Sequence, residues 1–216
     1  MARRKYLRGF ALALTLMASS AVAEQQTPGW YEIGENDEVK VWRMDVPGQA
    51  MPGFRGETLI QGPAEAVLTQ VVDIDSHTEW MYRCAEARSV KVIDEHSTIA
   101  YNRTDSPWPA ADRDVIVQTT VTRDEDGRVL RMSFRNVSSD AVPLQEGVVR
   151  MPRLKGAYTM TEISPNQTRV SYQVEADVGG RIPDWLATLI ARDLPVKTLS
   201  SLRERVENSS VVAGNL

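Results

Sequence analysis

TRVSYQVEADV, Thr168 to Val178, is followed by Gly179-Gly180 and then by PDWLATLIARDLPVKTLSSLRERVE, Pro183 to Glu207. In the first run Val170, Tyr172, Val174, Ala176 and Val178 fall on one side. Ser171, Gln173, Glu175 and Asp177 fall on the other, the period of two that marks a half-buried strand. In the second run Trp185, Leu186, Leu189, Ile190 and Leu194 follow helical spacing, and Leu199, Leu202 and Val206 continue it. Pro195 interrupts this helix and predicts a kink or a reset of its phase. Gly179-Gly180 reads as the turn between the two elements, not as a phosphate cradle.

Working back from there, further strands are expected at Val39–Met44, Phe54–Gln61, Ser89–Ile93, Thr98–Thr104, Arg113–Thr122, Val129–Val137, Gly147–Met151 and Ala157–Ile163. Leu130, Met132 and Phe134 alternate on their strand as the valines do on theirs. Asp126-Gly127 and Pro165-Asn166 are turn dipeptides, which argues for antiparallel hairpins. Pro63 opens a short helix through Val67, Leu68, Val71 and Val72, where its missing N–H costs nothing. One short helix, a long antiparallel sheet and a long C-terminal amphipathic helix make an α+β layer arrangement. A curved sheet wrapped around one helix can enclose a cavity, and periodicity does not say whether side chains fill it.

The first residues stand apart. Arg3, Arg4, Lys5 and Arg8 precede an apolar run, Gly9–Met17, too short to cross a bilayer, and Ala21-Val22-Ala23 supplies the small residues of a cleavage site. Residues 1–23 therefore read as a secretory signal peptide cleaved near Ala23, with a periplasmic or secreted destination. Removing its four basic residues from the 25 Lys and Arg leaves 21 against 29 Asp and Glu, a net charge of −8. So acidic a surface argues against nucleic acid as a partner. Residues 24–207 suit one domain, and residues 208–216 a flexible tail. Cys84 is alone, so no internal disulfide forms, and it reads as a small buried side chain.

Catalytic signatures are scarce. His77 and His96 have no zinc-ligand spacing around them, and Asp73, Asp75, His77 and Glu79 read as the close of the first helix. No nucleophile elbow, phosphate loop or C-x-x-C occurs. No cofactor and no metal is expected. Arg113, between Asp112 and Asp114, reads as a structural charge group at a strand start. Trp80, Trp108 and Trp185 fit either a cavity wall or a packed core.

Several stretches resemble landmarks of the START family of lipid-transfer domains: Phe54-Arg55-Gly56-Glu57, Glu79-Trp80-Met81, Pro107-Trp108-Pro109 with Asp112-Arg113-Asp114, Gly147-Val148-Val149-Arg150, and Gly179 to Leu186. Their order and spacing agree from about Trp30 to Glu207. The resemblance implies a helix-grip fold in which the terminal helix lids a hydrophobic tunnel holding one lipid. Tunnel residues would then be Trp80, Tyr101, Trp108, Thr119 and Met132, together with Phe134, Tyr172, Trp185, Leu189 and Leu199. The gate loop would be Ser138–Glu146, with Val142, Pro143 and Leu144 at its tip. Sterol-carrying relatives place an acidic residue facing an arginine in the tunnel. Here those places fall near Tyr101 or Asn102 and near Thr119, which puts that mode of sterol recognition in doubt.

The function so implied is non-catalytic binding, and possible transfer between membranes, of one lipid or other hydrophobic small molecule, with transient membrane contact. A monomer is favoured. The alternative is a helix-grip enzyme of polyketide cyclase or aromatase type, with Tyr101, Tyr158 or His96 as acid–base candidates. A third reading is an interaction module with a filled tunnel.

Overall fold

The computed structural model describes residues 29–46, 51–180 and 184–213; in the last segment, side chains are described at 190 and 192–209. Among these residues, ten strands form one sheet: β1 (Trp30–Asn36), β2 (Val39–Met44), β3 (Gly53–Gln61), β4 (Cys84–Asp94), β5 (Ser97–Thr104), β6 (Asp112–Arg123), β7 (Val129–Asn136), β8 (Val148–Arg150), β9 (Arg153–Ser164) and β10 (Gln167–Asp177). The main path runs β1-β2-β3-β10-β9-β7-β6-β5-β4 with antiparallel neighbours, and β8 lies parallel beside the start of β6. The expected hairpin turns at Asp126-Gly127 and Pro165-Asn166 join β6 to β7 and β9 to β10. The result is the curved sheet and terminal helix of a helix-grip α+β fold.

The alternation in β10 is realised as burial. Val170, Tyr172, Val174 and Ala176 are buried while Ser171, Gln173 and Glu175 stay partly open. Helix α1 (Ala64–Val72) starts just after Pro63 and buries Ala64, Val67, Leu68 and Val71, one face at helical spacing. It ends at Val72. A 3₁₀ turn at Ile74–Ser76 and the one-turn α2 (His77–Trp80) then lead into β4.

Helix α3 (Asp184–Ala213) crosses the sheet over β2, β3 and β10 and touches α1 and α2. Its stripe of Val196, Leu199, Leu202 and Val206 packs into one core with Val39, Val41, Ile60 and Val170. Gly56 makes this possible. A Cβ there would sit 2.8 Å from Leu199 Cδ1 and 2.9 Å from Pro195 Cβ, so only glycine lets the helix settle this close.

The structure departs from the sequence expectation in four elements. β1 is an additional edge strand on which only Trp30 is buried, so it carries no alternating pattern. β4 and β9 begin five and four residues earlier than expected. Residues 208–213, expected as a tail, continue α3. The signal peptide, residues 1–23, lies outside the described residues.

Candidate functional site

Beneath the N-terminal half of α3 the concave face is hollow. Period-two geometry sends Arg113, Val115, Val117 and Thr119 of β6 into this space, with Ala100, Asn102 and Thr104 of β5 beside them. Met132 and Phe134 of β7 and Tyr172, Val174 and Ala176 of β10 complete the floor, and Ile190 and Leu194 of α3 form part of the roof. Ala100, Val115, Val117 and Ala176 are too short to meet the helix, so a void remains. Positions open to the centre of a water fill about 150 Å³, and all space between atoms, mouth included, about 1330 Å³. The smaller figure bounds a guest, because the larger counts open solvent. It still far exceeds the ~10–15 Å³ that one water needs.

Four aromatic rings shape the floor. Tyr158 and Tyr172 stack with centroids 4.4 Å apart, and Phe134 tilts against both at 6.3 and 6.4 Å. Phe54 meets Tyr172 edge-on at 6.4 Å. Phe134 owes its place to Gly156, where a Cβ would lie 2.5 Å from its Cζ. Burial pushes both phenols well above their ordinary pKa, so Tyr158 and Tyr172 stay neutral.

The remaining polar groups are mostly engaged. Asn102 Nδ2 donates to Cys84 Sγ at 3.1 Å, and Thr119 Oγ1 donates to the Thr98 carbonyl at 3.2 Å. His77 Nε2 donates to the Val71 carbonyl at 2.9 Å, and burial lowers its pKa. Burial likewise raises the Cys84 thiol, which leaves it unreactive.

The mouth is bordered by the β5–β6 loop, where Asp105, Ser106 and Pro107 touch the cavity. The next residue, Trp108, is 89% exposed and points away from it. The β7–β8 loop, expected to be the gate, lies elsewhere: it edges a separate surface recess. Val142 is buried against Tyr101 and Ile116, while Pro143 and Leu144 are exposed. Arg150 secures this loop. It clasps Asp114 with two bonds of 2.7 and 3.0 Å and donates to the Val142 and Pro143 carbonyls.

Of the expected tunnel residues, Thr119, Met132, Phe134 and Tyr172 come together on the cavity wall. Tyr101 borders it, but its ring belongs to the Ile116 and Val142 cluster, and its hydroxyl bonds Asp114 at 3.2 Å and Gln145 at 3.1 Å. Burial and the Asp114 charge push this phenol up to about 12. Its neighbour Asn102 faces inward instead, as alternation requires. Trp80 lies in the main core, edge-on to His77 at 5.1 Å, and Leu199 packs on Gly56. The side chains of Trp185 and Leu189 lie outside the described residues. The wall residues not anticipated include Val115, Val117, Ile190, Leu194 and, as a cavity group, Arg113. The alternation of β6 contained the signal for the first two, but not which face is concave.

A family model described as START domain matches residues 13–210. An uncharacterized protein of Pseudomonas aeruginosa is 32% identical over 197 residues, covering 91% of this chain and 94% of that one. A phosphatidylcholine transfer protein of Mus musculus is 25% identical over 182 residues, covering 80% and 84%. The crystal structure of a STAR-related lipid transfer protein from Xanthomonas axonopodis superposes with a TM-score of 0.74 at 30% identity, covering 82% of this chain and 98% of that one.

Proposed function

This chain belongs to the START-domain family, and from that membership we propose that it binds one lipid in the cavity beneath α3 and transfers it between membranes. The observation that carries the reading is the hollow itself: a mainly apolar space left between the concave face of the sheet and α3. A lipid chain exposed to water costs roughly 0.8 kcal/mol per CH₂, and an apolar wall removes that cost. The neutral groups on the wall, Asn102, Tyr158 and Tyr172, suit a guest held by position and weak polar contacts. They do not form an acid–base pair at neutral pH, which favours carriage over cyclase chemistry.

At about 150 Å³ the cavity is smaller than the ~300–1,000 Å³ of ordinary ligand pockets. Loading a whole lipid therefore requires the mouth to open, and the segment that borders it is the β5–β6 loop. We assign membrane contact to this end of the molecule, where Trp108 of the same loop stands 89% exposed. Tryptophan suits the headgroup layer, where an apolar ring and a polar N–H are both accommodated. From the leader-like sequence of residues 1–23 we further propose that this work is done outside the cytoplasm, in a periplasm, and by a monomer. Native mass spectrometry of protein purified from its own envelope tests the reading, and a bound lipid of defined mass is expected. Protein that stays empty and takes up no fluorescent lipid of several classes refutes it.

A further inference from the structure

Among the described residues, two cationic side chains reach the cavity wall, Arg83 and Arg113. Arg83 is neutralised by Asp105 at 2.5 Å. Arg113 is 5% exposed, yet among the described residues it takes part in no ion pair. Its Nη1 donates to the Ala111 carbonyl, and its Nε has no partner. The carboxylates nearby in sequence are all committed. Asp112 accepts the Ser106 N–H at 3.0 Å and faces Arg103 at 3.7 Å; Asp114 is held by Arg150 and Tyr101; Asp105 belongs to Arg83.

A buried guanidinium whose neighbouring carboxylate is engaged elsewhere is under-compensated: burial lowers the pKa of this one, and the Asp112 charge only partly offsets that. Arginine's planar fork is matched to carboxylate and phosphate oxygens. Arg113 also sits at one end of the cavity, beside the Gly179-Gly180 turn that leads to α3, with Nη2 4.0 Å from where a Gly180 Cβ would lie.

We propose that Arg113 is the receptor for an anionic group, a carboxylate or a phosphate, on the bound lipid. The anion then rests at the mouth end of β6 and the hydrocarbon runs inward toward Tyr158 and Tyr172. The inference rests on the lipid-binding reading and adds the chemistry of the guest's polar end.

The test uses purified, delipidated protein and two matched pairs, palmitate with methyl palmitate and dipalmitoyl phosphatidic acid with dipalmitoylglycerol. Each competes against a fluorescent lipid. At least one acid is expected to bind about ten-fold tighter than its neutral partner. Which pair shows the preference tells a free fatty acid from a phospholipid. Arg113→Met should bring the ratio to within about two-fold while leaving the neutral ligand's affinity and the melting temperature intact; Arg113→Lys should keep part of the preference. Equal affinity for acid and neutral in the unmodified protein overturns the proposal. So does a preference that survives Arg113→Met, or a variant that loses both ligands together with its stability. Protein that takes up none of the four compounds removes the lipid-binding reading itself, a distinct failure.

Discussion

Beneath Val196, Leu199, Leu202 and Val206 the concave face of the sheet is closed, whereas beneath Ile190 and Leu194 of the same helix it is hollow. On the closed side a glycine lets the helix descend, and fully buried valine, isoleucine and leucine side chains interlock. Arg203 reaches Glu38 at 3.2 Å and Arg205 reaches Glu79 at 2.7 Å, tying this end of α3 to the β1–β2 turn and to α2. Both pairs are solvent-screened on one side and add little energy, but they fix the helix azimuth. On the hollow side Ile190 and Leu194 pack on the edge of that core and otherwise face the cavity. Stability and capacity for a guest therefore reside at opposite ends of one helix, so that one end can yield without unfolding the other.

Leu199→Ala should break the closed side most severely, costing about 2–5 kcal/mol in chemical denaturation, because a fully buried side chain leaves a void. A loss under about 1 kcal/mol would remove the closed half from its role as anchor. Gly56→Ala should cost about 1–3 kcal/mol by lifting the helix off the sheet, read as a lower denaturant midpoint. Val117→Phe probes the other half. Its ring enters empty space, so stability should change by less than about 1 kcal/mol while fluorescent-lipid uptake falls at least about ten-fold. Normal uptake by that variant would put the guest somewhere else.

The smallest expected effect is a pH dependence at the seam between the halves. His77 touches the cavity and packs on Trp80, and burial holds its folded pKa below the ordinary 6.5. The unfolded chain then binds the proton more tightly, so His77's contribution is complete above 6.5 and is lost as the pH falls below it. His77→Gln should flatten the melting-temperature profile in that acidic window. An unchanged slope would assign it to other groups.

Much of the fold was legible because burial leaves a period. β10, β7, α1 and the Leu199–Val206 stripe each bury one side, and their alternation or helical spacing says so directly. β1 was illegible for the same reason, since six of its seven residues are exposed and nothing in their order distinguishes two faces. The site was legible in part. Met132, Phe134 and Tyr172 follow from being large residues on dry faces, and Thr119 from the family resemblance. Trp108 shows the limit: a tryptophan between prolines reads the same whether its loop folds inward or outward, and here it folds outward.

Sequence alone settled the order of the strongly periodic elements, the dry face of β7, β10 and α1 and the presence of a long covering helix, because these depend on contacts periodic within a single element. Tertiary structure alone decided that Asn102 and not Tyr101 faces inward, that the β5–β6 loop and not the β7–β8 loop lines the cavity, and that Arg113 forms no ion pair among the described residues. Each of these depends on which strands are neighbours and on how far α3 stands from the sheet. That distance is the sum of many side-chain volumes across five strands and one helix, and no single stretch of chain contains it.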